Sequence, residues 1–506
     1  VTAHPVLPAL ASVPLRRLDP RRAAVVLAVA AALGVAGDAL TSTLPERLEV
    51  AACLALVLFT IAALVKAGVL ELERDTRLLA APALLLVVAL VWRDSPPLFA
   101  LNFLALLTLL ALAVRVRGVS LASAEPYEYA LRLLLAGAGA AIGALALLAG
   151  VDWNHLRRRG SPRRLTAAAI GATAALPALI IFGLLFMSAD PVFAAGVHSL
   201  FRFDATVLAR HVATAGFLAW CAAGALYVLA VRPAPEPFAA RAGGPAGIVE
   251  VGTALGLVTA LFAAFVAVQL RYLFGGAALV ARVSGLSYAE YARHGFFELL
   301  VVAALTLPLL LAADSLLDAR DARAVRRFRQ LAGVLLALLL VILASALQRM
   351  RLYTATYGLS EQRLYATAFM GWLVLVLGWL SVTVLRGRRE RFAVGALLAG
   401  LLLIGTLNLI NPDAIIVRAN TARAVAGRNF DPHYTARLSA DAVFAMLEAL
   451  PTLPADDACA ASAALAHRWA EGGKAARENT WNIARTEVRR LAAQGRIAPA
   501  AGCPTS

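Results

Sequence analysis

The sequence predicts an all-α, polytopic integral membrane protein: about 11 transmembrane helices, then a small helical extracytoplasmic domain at the carboxyl end. Three observations carry that prediction. Of 506 residues, 61% are apolar and only 15% are charged, and mean hydropathy is +0.77, a balance well outside soluble usage. Apolar runs recur along the chain, most approaching or exceeding the ~17–25 residues a bilayer requires. The basic residues gather between those runs, so a net charge of +16 reads as membrane topology and not as a nucleic-acid surface.

In chain order, residues 1–22 form a Pro-rich segment carrying Arg16, Arg17, Arg21 and Arg22, expected in the cytoplasm. The next run, 23–40, is longer than the apolar part of a signal peptide and is taken as the first span. Further spans are expected near 48–70, 78–92, 97–114, 166–187, 206–231, 248–270, 295–313, 331–347, 364–385 and 392–410. The third and fourth are short, joined by the tight turn Arg93-Asp94-Ser95-Pro96-Pro97. Residues 129–151 are apolar but rich in Gly and Ala, with Gly139 and Gly143 in the GxxxG spacing that marks close helix packing.

Charge places that segment. With eleven spans and an inner amino terminus, the inner loops hold 26 Lys/Arg and the outer loops 10. With a twelfth span at 129–151 and the tail kept outside, the division becomes 18 against 18. The excess of positive charge on inner loops therefore favours eleven spans, with 129–151 re-entrant or interfacial, the amino terminus inside and the tail outside, in a cell membrane. The basic loops at Arg157–Arg164, Arg320–Arg329 and Arg386–Arg389 are explained by orientation and by contact with anionic lipid.

Between two apolar runs lies QRMRLYTATYGLSEQRLY, Gln348 to Tyr365. Arg349, Tyr353 and Tyr357 fall at i, i+4 and i+8, one stripe of a helix. Gly358 is suited to ending that helix, and Ser360 to capping the next, with Glu361 in its first turn. The expectation is a helix–turn–helix at a membrane boundary, presenting guanidinium and phenol groups together. An aromatic and arginine anchor belt is its plainest use.

After residue 410 the composition turns polar. Asn411-Pro412-Asp413 has the pattern of a helix start, and short helices are expected over 441–450, 456–471 and 474–493. An antiparallel arrangement of the last two would bring Cys503 to Cys459, and an outer location permits a Cys459–Cys503 disulfide. Cys53 and Cys221 lie in apolar runs. With no CxxC, HExxH or clustered Cys/His spacing, no metal site and no cofactor are expected. The domains are thus 1–22, 23–410 and 411–506.

MRLYTATYGLSEQRLY, SADPVF at Ser188, QLRYLFGG at Gln269, YAEYARHGFFELL at Tyr288 and NPDAIIVRAN at Asn411 together resemble the bacterial membrane family catalogued as domain of unknown function 4173, related to family 4153. The resemblance spans about 160–450. It implies membrane location and no particular activity.

Six of the outer-loop arginines lie in these motifs or in the loop after Gln269 that joins them: Arg271, Arg282, Arg293, Arg349, Arg351 and Arg363. Arginines placed against the topological bias need a local reason, such as paired acids or an anionic ligand. The expected ligand is an anionic lipid headgroup or a lipid-linked envelope precursor. It would be held by Arg271, Arg349, Arg351 and Arg363 with Tyr353 and Tyr357, with Asp190, Glu290 or Glu361 as candidate acid–base groups. Ordinary roles compete: Ser287 and Glu290 fit a capping box, Asp190-Pro191 a helix start, and Glu361 a simple pair with Arg349 or Arg363. The alternatives are a secondary transporter, against which stands the lack of charge at the centre of any span, and an envelope sensor or assembly partner.

Overall fold

The computed structural model describes residues 18–72, 74–114, 120–150, 182, 186, 189–190, 205–231, 247–284, 296–317, 320–470, 473, 475, 478–499 and 503. Most of the expected span 166–187, and Glu290 with its capping box, lie outside them. The described elements are helical, with no strand among them, and ten helices are long and apolar enough to cross a membrane. The protein is an all-α, multi-pass membrane protein.

The long elements are α1 (Pro20–Thr43), α2 (Leu48–Lys66), α3 (Ala80–Trp92), α4 (Pro96–Leu112), α5 (Pro126–Gly150), α6 (Ala205–Ala230), α7 (Ile248–Ser284), α8 (Phe296–Leu316), α9 (Ala322–Tyr357), α10 (Glu361–Val382) and α11 (Phe392–Ile410). The tail holds α12 (Pro412–Val425), α13 (Pro432–Arg437), α14 (Val443–Ala449), α15 (Ala455–Trp469) and α16 (Ile483–Ala493). Two compact units divide the chain: residues 1–77, 110–118 and 131–234, and residues 78–109, 119–130 and 235–506.

In the first unit, small residues let helices approach closely, the usual basis of association where lipid removes any hydrophobic drive. The pair α1 and α6 run antiparallel: Asp38 near the end of α1 meets His211 near the start of α6, Oδ2 to Nδ1 2.8 Å. The GxxxG pair of α5 lies against Gly224 of α6. A Cβ added to Gly224 would stand 2.2 Å from the Gly139 carbonyl oxygen, so any side chain there must part the helices. Gly224→Val is expected to lower stability by about 1–3 kcal/mol, the usual cost of overpacking. Thermal melting of the purified protein checks this, and an unchanged transition would mean that the crossing is absent.

Of the two alternatives that the charge count favours for 129–151, re-entrant or interfacial, the helix bears on the first. α5 is one unbroken 25-residue helix, with no interruption to make it re-entrant, and its exposed Leu133, Leu134, Ile142, Leu145 and Leu148 suit contact with acyl chains. It meets the length and composition of a span.

In the second unit α9 is the central rod. Its 36 residues reach about 54 Å, longer than a bilayer core. Phe328, Ala332, Leu335, Leu339, Ile342, Ala346 and Met350 recur every three or four residues and are buried, one continuous stripe. Against it pack Val251, Leu255 and Phe262 of α7, Ala303 and Leu310 of α8, and Met370, Leu373 and Val376 of α10. Asp321 caps the start of α9 by accepting from the Arg323 amide.

The tail has its own core, with Ile416, Val417, Val443, Met446, Ala461, Leu465, Trp469, Val488 and Leu491 buried and Leu359 and Leu364 of the α9–α10 turn packed against it. Its helices differ from expectation at their starts. A 3₁₀ turn, Ala440–Ala442, precedes α14, and α16 starts at Ile483, not at residue 474. Asn482 sets that start, its Oδ1 accepting from the Arg485 amide. Cys459 and Cys503 are joined, their Cα atoms 5.5 Å apart.

Candidate functional site

The α9–α10 turn forms as its sequence implies, with one substitution of partners. Gly358 ends α9 at φ +82°, the left-handed region open to glycine. Ser360 occupies the cap position of α10, but its side chain makes no capping bond. The Glu361 amide donates instead to the Tyr434 hydroxyl of the tail, 2.9 Å. Asn420 of α12 grips the same turn, accepting from the Leu359 amide and donating to its carbonyl, both 2.8 Å. NPDAIIVRAN is therefore the clasp that holds the hairpin.

The arginines of the hairpin separate into different roles. Arg349 is buried at 9% exposure and donates to Gln269 Oε1 of α7, 2.9 Å, as does Ser345. QLRYLFGG and the hairpin motif thus meet, through Gln269; Arg271 itself lies two positions on in α7. Arg363 donates to the Gly358 carbonyl and lies over the Tyr353 ring, 4.0 Å from its centre, while Tyr353 and Tyr357 meet edge to face. Arg351 and Tyr357 are exposed. Glu361 makes no ion pair with Arg349, Arg351 or Arg363 among the described residues, contrary to expectation; the guanidinium that acts on it is Arg468 of the tail. Asp190 is exposed and belongs to the first unit.

Two arginines absent from the hairpin complete its surface. Arg423 of α12 donates to the Ala355 and Thr356 carbonyls, the latter at 3.0 Å, and Arg428 to Ala355 at 3.1 Å. With Arg363 they surround the carboxyl end of α9. Burial, then the charges of Arg428 and Arg363, pull the Arg423 pKa below its ordinary value. None of the three forms an ion pair among the described residues.

Beside this cluster lies a buried polar knot that joins the tail to the α3–α4 turn. Asp94, 2% exposed, accepts from Arg485 Nε and Asn482 Nδ2, both 2.7 Å, and from the Ala440 amide at 2.9 Å. Asp441 returns the exchange, accepting from the Asp94 amide at 2.6 Å and the Ser95 amide at 3.0 Å. Its other oxygen faces Arg93 at 3.4 Å, and burial pushes its carboxyl up against that arginine's pull. Arg485 also reaches Glu478 at 2.7 Å and lies over the Trp469 ring. Asp413, at the start of α12, faces Ser439, and Tyr365 of α10 meets Ser95 at 3.2 Å. Next to the knot, Asn102 of α4 and Asn408 of α11 exchange amide bonds of 3.1 and 2.9 Å.

Reading the sequence missed the knot. Asp94 and Asp413 look like ordinary turn and helix-start residues, and Asp441, Asn482 and Arg485 like a solvated tail. One signal was present: Asp94 sits in a three-residue link between two apolar helices, where an acid needs a partner. The contacts also place the α3–α4 turn, the α9–α10 turn and the tail on one face of the second unit. Asp314 and Arg389, 3.6 Å apart, mark its other end.

These features define a class: a multi-pass helical membrane protein whose polar tail is folded onto the loops of one face. Within that class, the chain belongs to the family described as Domain of unknown function (DUF4153), which matches residues 80–449. The match starts about 80 residues before the motif resemblance did, taking in the Asp94 turn, and stops short of Cys459, Asn482 and Arg485. No curated protein matches the chain, and no solved structure does.

Proposed function

We propose that the protein binds a phosphate-bearing anion, a lipid headgroup or lipid-linked envelope precursor, at the arginines around the carboxyl end of α9, on the extracytoplasmic face. The carrying observation is a charge imbalance. A helix end supplies roughly half a negative charge, whereas Arg363, Arg423 and Arg428 bring three positive ones with no paired carboxylate among the described residues. A dianionic phosphate supplies what is missing, and guanidinium forks suit its geometry. Arg351, exposed one turn earlier on α9, and the exposed Tyr357 extend the surface. The neighbouring acids Asp413 and Asp441 are buried in the knot, which supports binding over processing. The Cys459–Cys503 link supports an oxidising, extracytoplasmic compartment for this face.

The test uses purified full-length protein in a zwitterionic detergent, titrated with phosphatidylglycerol, phosphatidylcholine or inorganic phosphate and followed by native mass spectrometry and melting temperature. Phosphatidylglycerol is expected to bind in preference to phosphatidylcholine. Displacement by inorganic phosphate at similar concentration would identify a soluble anion as the source. Arg351→Gln with Arg428→Gln, both at exposed positions, is expected to weaken binding about tenfold or more, the scale of lost charged hydrogen bonds. Arg351→Lys should fall between, since Lys keeps charge but not the fork. Equal binding of both lipids, or unchanged affinity in the double variant, refutes the reading.

A further inference from the structure

We propose that Asp413 is a proton-binding site, and that holding this proton keeps the tail docked on the membrane helices, so that docking loosens as the medium goes from acid to neutral. The side chain is 0% exposed. Its Oδ1 is buried with no hydrogen-bond partner, and its Oδ2 faces the Ser439 hydroxyl and, at 3.3 Å, the Ser439 amide. The titratable groups around it are Glu361 and Tyr365 from α10, Tyr434 from α13 and Asp441 beyond Ser439. The knot's arginines are engaged elsewhere, Arg93 with Asp441 and Arg485 with Asp94 and Glu478, and Arg468 acts on Glu361.

Counting protons leads to the same site. Ser439 Oγ faces both Asp413 Oδ2 and, at 3.2 Å, Asp441 Oδ2, yet a hydroxyl has a single proton to donate. With a proton on Asp413, Oδ2–H donates to Ser439 and Ser439 donates to Asp441, and every contact is satisfied. Without it, two buried carboxylates compete for one donor, and Oδ1 carries charge with neither donor nor solvent.

Burial, then the charges of Glu361 and Asp441, push the Asp413 carboxyl up to about 7, against the opposing bond from Ser439. An undocked, solvated aspartate titrates near 4. The docked state therefore binds the proton more tightly. Docking is strongest below about pH 4, declines as pH rises from there to about 7, and is level above. Asp441, also pushed up by burial, acts in the same direction.

The experiment is hydrogen–deuterium exchange on the full-length protein in lipid nanodiscs, corrected for intrinsic exchange, across about pH 5 to about pH 8. Amides of residues 411–449 are expected to lose protection up to about tenfold per pH unit as far as about pH 7 and to level off above, one proton's worth for Asp413. Asp413→Asn, which copies the neutral acid, should lose distinctly less protection over the same range, the remaining decline being that of Asp441. Flat protection in the wild type, or the same decline in the Asn variant, overturns the proposal. Infrared difference spectra of the wild type give a second readout should that variant fail to fold. The carbonyl band of a protonated carboxyl should be present at the acid end and gone at the alkaline end. Its absence at the acid end overturns the proposal too.

Discussion

Asp94→Ala is expected to release the tail from the membrane helices, at a cost of about 3–5 kcal/mol, the range for breaking a buried pair by removing one partner. The loss is large because Asp94 serves three donors at once: the Arg485 guanidinium, the Asn482 amide and the Ala440 backbone. Removing it leaves Arg485 buried beside Trp469 with Glu478, 2.7 Å away, to balance its charge. Replacing both members, Asp94→Leu with Arg485→Leu, should cost less than the sum of the single changes, because neither charge is then stranded. Thermal melting and protease cleavage of residues 411–506 in the full-length protein read the outcome. A variant that melts and resists cleavage like the wild type would show that the knot does not hold the tail.

Loss of the Cys459–Cys503 link is the second large expected effect. The cysteines are 44 residues apart, and closing a loop of that length removes about 4 kcal/mol of chain entropy from the opened tail in the usual model. Cys459→Ser or reduction should therefore lower the midpoint for tail unfolding while leaving the helices of the membrane part assembled. Alkylation during membrane isolation checks the bond itself. Recovery of both residues as alkylated free thiols would remove the link and, with it, the support for an extracytoplasmic tail.

Much of the fold was legible because bilayer and backbone constraints are local. A run of about twenty apolar residues has few alternatives in lipid, since each backbone polar group must be satisfied within the segment. That accounts for α1, α2 and α6 to α11 and for the hairpin at Gly358, where one glycine supplies a backbone angle that other residues avoid. The candidate site was legible in part. Arg349 and the Gln269 motif do meet, but Glu361 does not pair with the hairpin arginines, because the tail supplies Asn420, Arg423, Tyr434 and Arg468 around the turn instead.

By itself, then, the sequence determined a multi-pass all-α protein with a polar helical tail, and it marked Arg349 to Arg363 and Asn411 to Asn420 as its unusual stretches. Tertiary structure alone decided that α5 packs through Gly139 and Gly143 onto Gly224. It also decided that Arg363, Arg423 and Arg428 converge on one helix end, and that Asp94, Asp413 and Asp441 share one buried knot. The reason is physical: apolar length and turn chemistry act over a few residues, whereas a buried charge is stabilised by whichever donors the fold brings to it, here from almost 400 positions away.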